Sequence, residues 1–267
     1  MTILKRSVAI LRASNKRLTC YLNSSFLMLV LVLVGLIGCK KPENRKCYKS
    51  EGEREEKVIY VISFDSLLVG PKLKVHLIQG TENKVVIRAG KNMMNFILAD
   101  ESKSGWLRLS NTNNCSFLRK MNTQIEVDVF FTNLSFLDFQ GSEMLTSGKL
   151  NIDSLIVRSR VGNGTLNLDV ASHFLDVAAN AGASNYFITG TVDNAYLGIG
   201  SNCYFDASTL VVSNFLECVT SSQGDAIVNV SGCNLNAILT TRGNIFYKGV
   251  PLNITKDERG EGRLIQY

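Results

Sequence analysis

The sequence predicts a right-handed parallel β-helix, a single-stranded solenoid with coils of about twenty residues. Three observations carry that expectation. A polar residue followed by an apolar run recurs between residues 133 and 249, with the run opening at Leu134, Leu155, Phe174, Ala195, Phe215 and Leu235. Successive openings are 21, 19, 21, 20 and 20 positions apart. A turn follows each run, at Gly141-Ser142, Gly162-Asn163, Gly182-Ala183, Ser201-Asn202, Gly224-Asp225 and Gly243-Asn244. Four positions past the start of each turn stands Leu145, Leu166, Tyr186, Phe205, Val228 or Tyr247, within stretches such as Thr165–Val170 and Ala226–Val230 that alternate as strands do. One such coil cannot bury its own apolar face, so each must stack on the next.

Two strands per coil put each residue about 4.8 Å above its counterpart, and six coils make a stack of about 24 Å. One polar column is then Asn133, Ser154, His173, Asn194, Asn214 and Asn234; a second is Ser142, Asn163, Ala183, Asn202, Asp225 and Asn244. Stacked amides can hydrogen-bond between layers, which makes Asn133, Asn194, Asn214, Asn234, Asn163, Asn202 and Asn244 a structural ladder. A ligand-binding stripe is the alternative, although turn chemistry alone calls for these residues. The first strand of each coil aligns through Leu134 and Phe136, Leu155 and Val157, Leu175 and Val177, Leu216 and Cys218, and Leu235 and Ala237. A one-residue slip is needed in some coils, as bulges would give.

Residues 58–131 are strand-rich without a clean period: Val75–Gly80, Lys84–Gly90, Trp106–Ser110 and Gln124–Val129 alternate, with turns at Gly80–Asn83 and Asn111–Asn114. Lys91–Leu98 is the one stretch with a helical option. This region reads as irregular first coils plus a cap over the core and the open strand edges, and residues 132–267 as regular coils with a C-terminal cap.

Residues 1–38 carry Lys5, Arg6, Arg12, Lys16 and Arg17, no acidic residue, and the apolar run Phe26–Ile37. Twelve residues are too few to span a bilayer and suit a signal-peptide core. The run ends in Leu36-Ile37-Gly38-Cys39, which resembles the lipobox of bacterial lipoproteins, where cleavage before the Cys accompanies its lipidation. A simple secretory signal or an uncleaved anchor is the alternative, and a leader this long also fits a true start further in. Acyl chains on Cys39 would hold the protein on a membrane, with residues 39–57 as lipidated N-terminus and charged tether. The whole chain is +6, from 29 basic and 23 acidic residues, but five of the basic ones lie in the leader. The rest is nearly neutral, so the basic balance is no sign of a nucleic-acid partner.

Of seven Cys, Cys20 leaves with the leader and Cys39 takes lipid. Export permits disulfides, and Cys47 and Cys115, outside the repeat in polar contexts, are the candidate pair. Cys203, Cys218 and Cys233 sit on or beside solenoid strands as small hydrophobes. There is no CxxC, and no His lies near two Cys, so no metal site is expected; no cofactor is implied either.

The chain resembles the putative auto-transporter adhesin family with the head GIN domain, found largely in lipoproteins of Bacteroidetes-type bacteria. The resemblance rests on Cys47–Gly52 with the charged run after it, Phe64–Leu67, Val75-x-Leu77-x-Gln79-Gly80 and Val85-x-Ile87-x-Ala89-Gly90-x-Asn92. Leu107-x-Leu109-x-Asn111, Gly141-Ser142, Arg242–Gly249 with Pro251, and the closing Gly260-Glu261-Gly262-Arg263-Leu264 complete it. It covers about residues 47–266, implies the same β-helix, and supplies no catalytic residue. Ser201-Asn202, where a Gly turn is expected, leaves one coil's turn geometry open.

A polysaccharide lyase or hydrolase is the rival by fold analogy. Glycoside hydrolysis needs two carboxylates across one bond, yet Asp153 and Asp193 stand two coils apart with Ser172 between, and Asp138, Asp176 and Glu217 share no register. His76 and His173, the only histidines, are far apart in the chain, and Gly260-Glu261-Gly262 lacks the context of a phosphate loop. The expectation is a non-enzymatic binding or structural module at the cell envelope, on the outer membrane through Cys39, with a glycan or protein ligand. An accessory role in envelope assembly is a third reading.

Overall fold

The computed structural model describes residues 50–113, 124–180 and 182–267. Cys39, Cys47 and Cys115, and with them the leader, the lipidation and the disulfide, lie outside the described residues. The first strands are β1 (Arg54–Tyr60), β2 (Ser66–Val69), β3 (Lys74–Gln79), β4 (Lys84–Gly90), β5 (Ile97–Glu101) and β6 (Trp106–Asn111). β7 (Glu126–Phe131), β8 (Phe136–Phe139), β9 (Met144–Asn151), β10 (Ser154–Ser159), β11 (Thr165–Ala179) and β12 (Asn185–Ser201) follow. The last are β13 (Tyr204–Ser222), β14 (Ala226–Asn229), β15 (Asn234–Leu239), β16 (Ile245–Lys248), β17 (Asn253–Glu258) and β18 (Leu264–Gln266).

They wind into the predicted parallel β-helix with two main walls. The first wall runs β5, β6, β2, β8, β10, the C-terminal halves of β11, β12 and β13, then β15 and β17. The second runs β1, β4, β7, β3, β9, the N-terminal halves of β11, β12 and β13, then β14, β16 and β18. Every pairing is parallel except β1–β4, β4–β7 and β5–β6, which close the N-terminal end with antiparallel strands.

Apolar residues at alternate positions stack into the core. Leu145, Leu166, Tyr186 and Phe205 form one inward column, all fully buried, and Ala226, Ile245 and Leu264 continue it. Val228 and Tyr247, expected in that column, stand at the next inward position instead, because Ser222 and not Gly224 is the counterpart of Ser201, so the Gly-Asp pair sits two residues further along the turn. In the first wall Leu137, Val157, Val177, Leu197, Cys218 and Ala237 stack. Phe136, expected inside, points out and packs edge-on against Trp106 at 5.4 Å. Register shifts at Asn167/Asp169 and Phe187/Thr189 in the second wall, and at Val192/Asn194 where the chain turns into the first, each change the spacing of paired residues by one, as bulges do.

Four further features differ from the sequence reading. Arg54–Lys57 belongs to β1 rather than to a tether, since Arg54–Glu126, Arg88–Glu56 and Lys91–Glu55 pair its charges. Lys91–Leu98 forms only a 3-10 turn at Met94–Phe96 before β5 begins. The coil of β2 and β3 does not end the stack: it lies between β6 and β7 on one side and β8 and β9 on the other. The repeat also runs past residue 249, through β17 and β18.

The turns pack too closely for a side chain. A Cβ on Gly243 would lie 2.2 Å from the Gly224 carbonyl oxygen, and one on Gly262 2.2 Å from that of Gly243. Gly260-Glu261-Gly262 is therefore one more solenoid turn. Ser201 takes the turn lacking Gly with φ of 56°, a left-handed conformation held by its Oγ, which donates to the Asn180 carbonyl at 3.0 Å. At the far end Ile254, Lys256 and Glu258 continue the inward columns of Leu235, Ala237 and Leu239. Inward charges at an open edge discourage a further strand from adding.

Candidate functional site

Several concave features outside the core carry polar side chains, and two of them gather His, Tyr or acidic side chains from three successive coils. The larger, about 660 Å³, follows the corner where the second wall turns into the first, and Asp153, Ser172, His173, Asp193 and Ser213 line part of it. The His173 amide donates to the Asp153 carbonyl at 3.0 Å, which sets His173, not Ser172, between Asp153 and Asp193. Its Nδ1 lies 2.5 Å from Asp193 Oδ2, and Ser213 Oγ donates to Asp193 Oδ1 at 2.9 Å. The hydrogen bond to Asp193 raises the imidazole above its ordinary value, aided by the charges of Asp193 and Asp153. Asp193 is lowered in turn, chiefly by His173 and then by Ser213.

This arrangement is a clasp across coils. In a hydrolytic triad the His stands between Ser and Asp and takes the serine proton. Here the carboxylate is central, and the serine hydroxyl is spent on it. His76 lies apart, its Nδ1 2.9 Å from Thr146 Oγ1 on the second wall.

The second feature is on the outer surface of the first wall. Phe174, Tyr196 and Phe215 come from three successive coils, and their ring centroids are 5.4 and 6.0 Å apart in a tilted zigzag. Asp176, Tyr196 and Glu217 share one column, so Asp176 and Glu217 do share a register, contrary to the expectation above. The next outward column is Ala178, Gly198 and Val219. Those small residues leave a trough of about 420 Å³ beside Tyr196. Arg158 holds Asp176 from the coil below with two hydrogen bonds, at 2.9 and 2.6 Å. Asn236 Nδ2 donates to Glu217 Oε2 from the coil above at 2.9 Å.

The expected ladder is split. Asn194 and Asn234 share a column, but Phe215 stands between them, because the bulge after Val192 displaces Asn214 by one position. His173 likewise lies one position before the column, in which Phe174 pairs with Asn194. Amide rungs do occur: Asn253 Nδ2 donates to Asn234 Oδ1 at 2.8 Å, and Asn234 Nδ2 to the Asn214 carbonyl at 3.2 Å. Asn133 is exposed at the corner before β8. In the turn column, Asn163 and Asn202 bond layer to layer through their backbone amides, to the carbonyls of Gly141 and Gly182. Asn244 bonds Asp225 through its Nδ2 at 3.1 Å and accepts from the Arg263 amide at 3.0 Å.

Cys203, Cys218 and Cys233 are buried. Burial pushes the Cys218 thiol up to about 12 and also raises Cys233. Among the described residues no three His, Cys, Asp or Glu side chains converge as metal ligands.

Residues 63–251 match the family described as putative auto-transporter adhesin, head GIN domain. The fold is similar to that of a putative adhesin from Bacteroides fragilis NCTC 9343, with a TM-score of 0.74 at 18% identity over 82% of this chain and 100% of that one. It is also similar to a putative lipid binding protein from Parabacteroides distasonis ATCC 8503, with a TM-score of 0.59 at 15% identity over 82% and 100% of the two chains. A putative adhesin from the same organism gives 0.61 at 15% identity over 82% and 99%. At these identities the likeness shows the fold alone. No curated protein matches.

Proposed function

Because the chain belongs to the putative auto-transporter adhesin, head GIN domain family, we propose that it is a non-enzymatic, adhesin-like binding module held at the cell envelope by lipid on Cys39. The observation that carries the reading is the continuous outer surface of the first wall, where stacked coils hold aromatic, acidic and amide side chains at fixed spacing. A rigid wall of this kind loses little conformational entropy on contact, which suits recognition of an extended partner. The anchor rests on the basic leader, the short apolar core and Gly38-Cys39. Two or more acyl chains suffice for stable attachment.

Two experiments test the reading. The lipid-free protein should bind envelope or host glycans or proteins, and failure across such panels counts against an adhesin-like role. Cys39→Ser should abolish partitioning into a detergent phase; retained membrane association would overturn the lipoprotein assignment.

One observation favours a second reading, a carbohydrate-active enzyme. Asp176 and Glu217 are two coil steps apart, about 9.6 Å between backbones, near the separation of an inverting carboxylate pair. Arg158 engages both oxygens of Asp176, however, and Tyr196 stands between the two acids. Release of reducing ends from a polysaccharide panel would decide for the enzyme.

A further inference from the structure

We infer that the trough beside Tyr196 is a subsite for a neutral pyranose residue of a glycan, an assignment that rests on the binding-module reading and gives it a place and a ligand class. A pyranose ring has an apolar C–H face and a rim of hydroxyls. A complementary site offers an aromatic surface for the face and fixed acceptors for the rim. Tyr196 is 38% exposed, and the flanking Phe174 and Phe215 rings tilt by 46° and 58° against it, which fixes its position. A contiguous patch of exposed apolar rings rimmed by polar groups marks an interaction surface.

The acceptors are fixed too. Arg158 sets the plane of Asp176, and Asn236 holds Glu217 Oε2 while Oε1 takes no partner among the described residues. Asp176 and Glu217 line the trough, no Lys or Arg among the described residues does, and the Arg158 guanidinium is engaged by Asp176. An anionic sugar would therefore meet repulsion without a free cation, which selects a neutral one. The small residues at Ala178 and Gly198 make the room. A Cβ on Gly198 would meet only ordinary contacts, 3.7 Å to the Val177 carbonyl oxygen and 4.0 Å to the Ala178 Cα. Backbone packing does not require glycine there; the open space follows from its missing side chain.

The test uses calorimetric titration of the lipid-free protein with neutral oligosaccharides (mannan, xylan and β-glucan fragments) and with oligogalacturonate as the anionic probe. At least one neutral series should bind and the anionic one should not. Tyr196→Ala should weaken binding about tenfold, the scale of one lost aromatic contact plus buried area. Gly198→Tyr should abolish it by filling the trough. Both variants should melt like the parent, since one trims an outer-surface side chain and the other adds one where space exists.

Binding confined to the anionic probe would overturn the ligand class. Neutral binding left intact in both variants would overturn the site and leave the adhesin-like reading in place. If no glycan binds while a protein ligand does, the subsite is wrong and the module is still a binder.

Discussion

The turn glycines give the most direct check on the stacking geometry, and Gly243→Ala is the sharpest case. A methyl group there would sit 2.2 Å from the Gly224 carbonyl oxygen, about 0.8 Å inside the 3.0 Å floor for real Cβ contacts. The obstacle is backbone, so no rotamer relieves it. Opening the turn enough to clear it stretches the bond from the Gly243 amide to the Ser222 carbonyl, now 3.0 Å, beyond hydrogen-bonding length. It also pushes against Gly262, whose own Cβ position is 2.2 Å from the Gly243 carbonyl oxygen. Overpacking costs about 1–3 kcal/mol and a lost buried hydrogen bond about 1 kcal/mol more, so about 3 kcal/mol is expected. For a domain of this size that is a fall of about 6–12 °C in Tm. Gly148→Ala is the matched control, because nothing lies within 4 Å of its Cβ position and its φ is not left-handed. That variant should be neutral or gain about 0.4–1 kcal/mol. Urea and thermal melts by circular dichroism read both, and hydrogen exchange should show the loss concentrated in β16, β17 and β18. Equal melting of the two variants would refute the close-stacked turn.

Other consequences follow from the core, the clasp and the open end. His173, raised by Asp193, contributes stability that is full below its ordinary 6.5 and is lost as pH rises through its folded value; Asp193, lowered, contributes above its ordinary 3.8 and loses it as pH falls through its folded value. Both therefore contribute together between about 3.8 and 6.5, and an NMR titration should show the His173 midpoint moving down in Asp193→Asn. The hydroxyls of Tyr186, Ser159 and Ser184 are buried without hydrogen-bonding geometry, although Ser159, Ser184 and Cys203 lie near enough to act on the phenol, which burial pushes up to about 12. Tyr186→Phe should be neutral or stabilising by up to about 1 kcal/mol in urea melts, whereas Tyr186→Ala should cost about 3–5 kcal/mol. Replacing Lys256 and Glu258 together by Val should turn the terminal coil into an apolar edge, and concentration-dependent association in light scattering would register it.

The solenoid was legible because turn chemistry is local. A Gly or Asn at each corner and a large apolar residue four positions on recur often enough to fix the period without any contact being known. Phase was harder to read. Alternation separates two faces without saying which is inside, so the pattern points Phe136 to the core although Leu137 holds that position. The extra residue near Asn214 moved one Asn out of its column and brought Phe215 into it. For the same reason the aromatic zigzag left no sequence pattern: Phe174 and Phe215 occupy one column and Tyr196 the next. Pairings such as Leu67 with Leu137, seventy positions apart, leave no local trace at all.

That last pairing makes the two ends of the molecule behave differently. After β1, which lies at the edge against β4, the polypeptide starts its winding inside the pile and builds outward both ways, so β2 and β3 are gripped from above and below by segments made later. During synthesis the first loop of the spiral must wait, open, until β8 and β9 have emerged. Once shut, the C-terminal layers can fray singly as in a linear array, but withdrawing β2 and β3 means tearing two seams at once. The coil of β2 and β3 is thus the one bolted from within, and it should be the last to come loose.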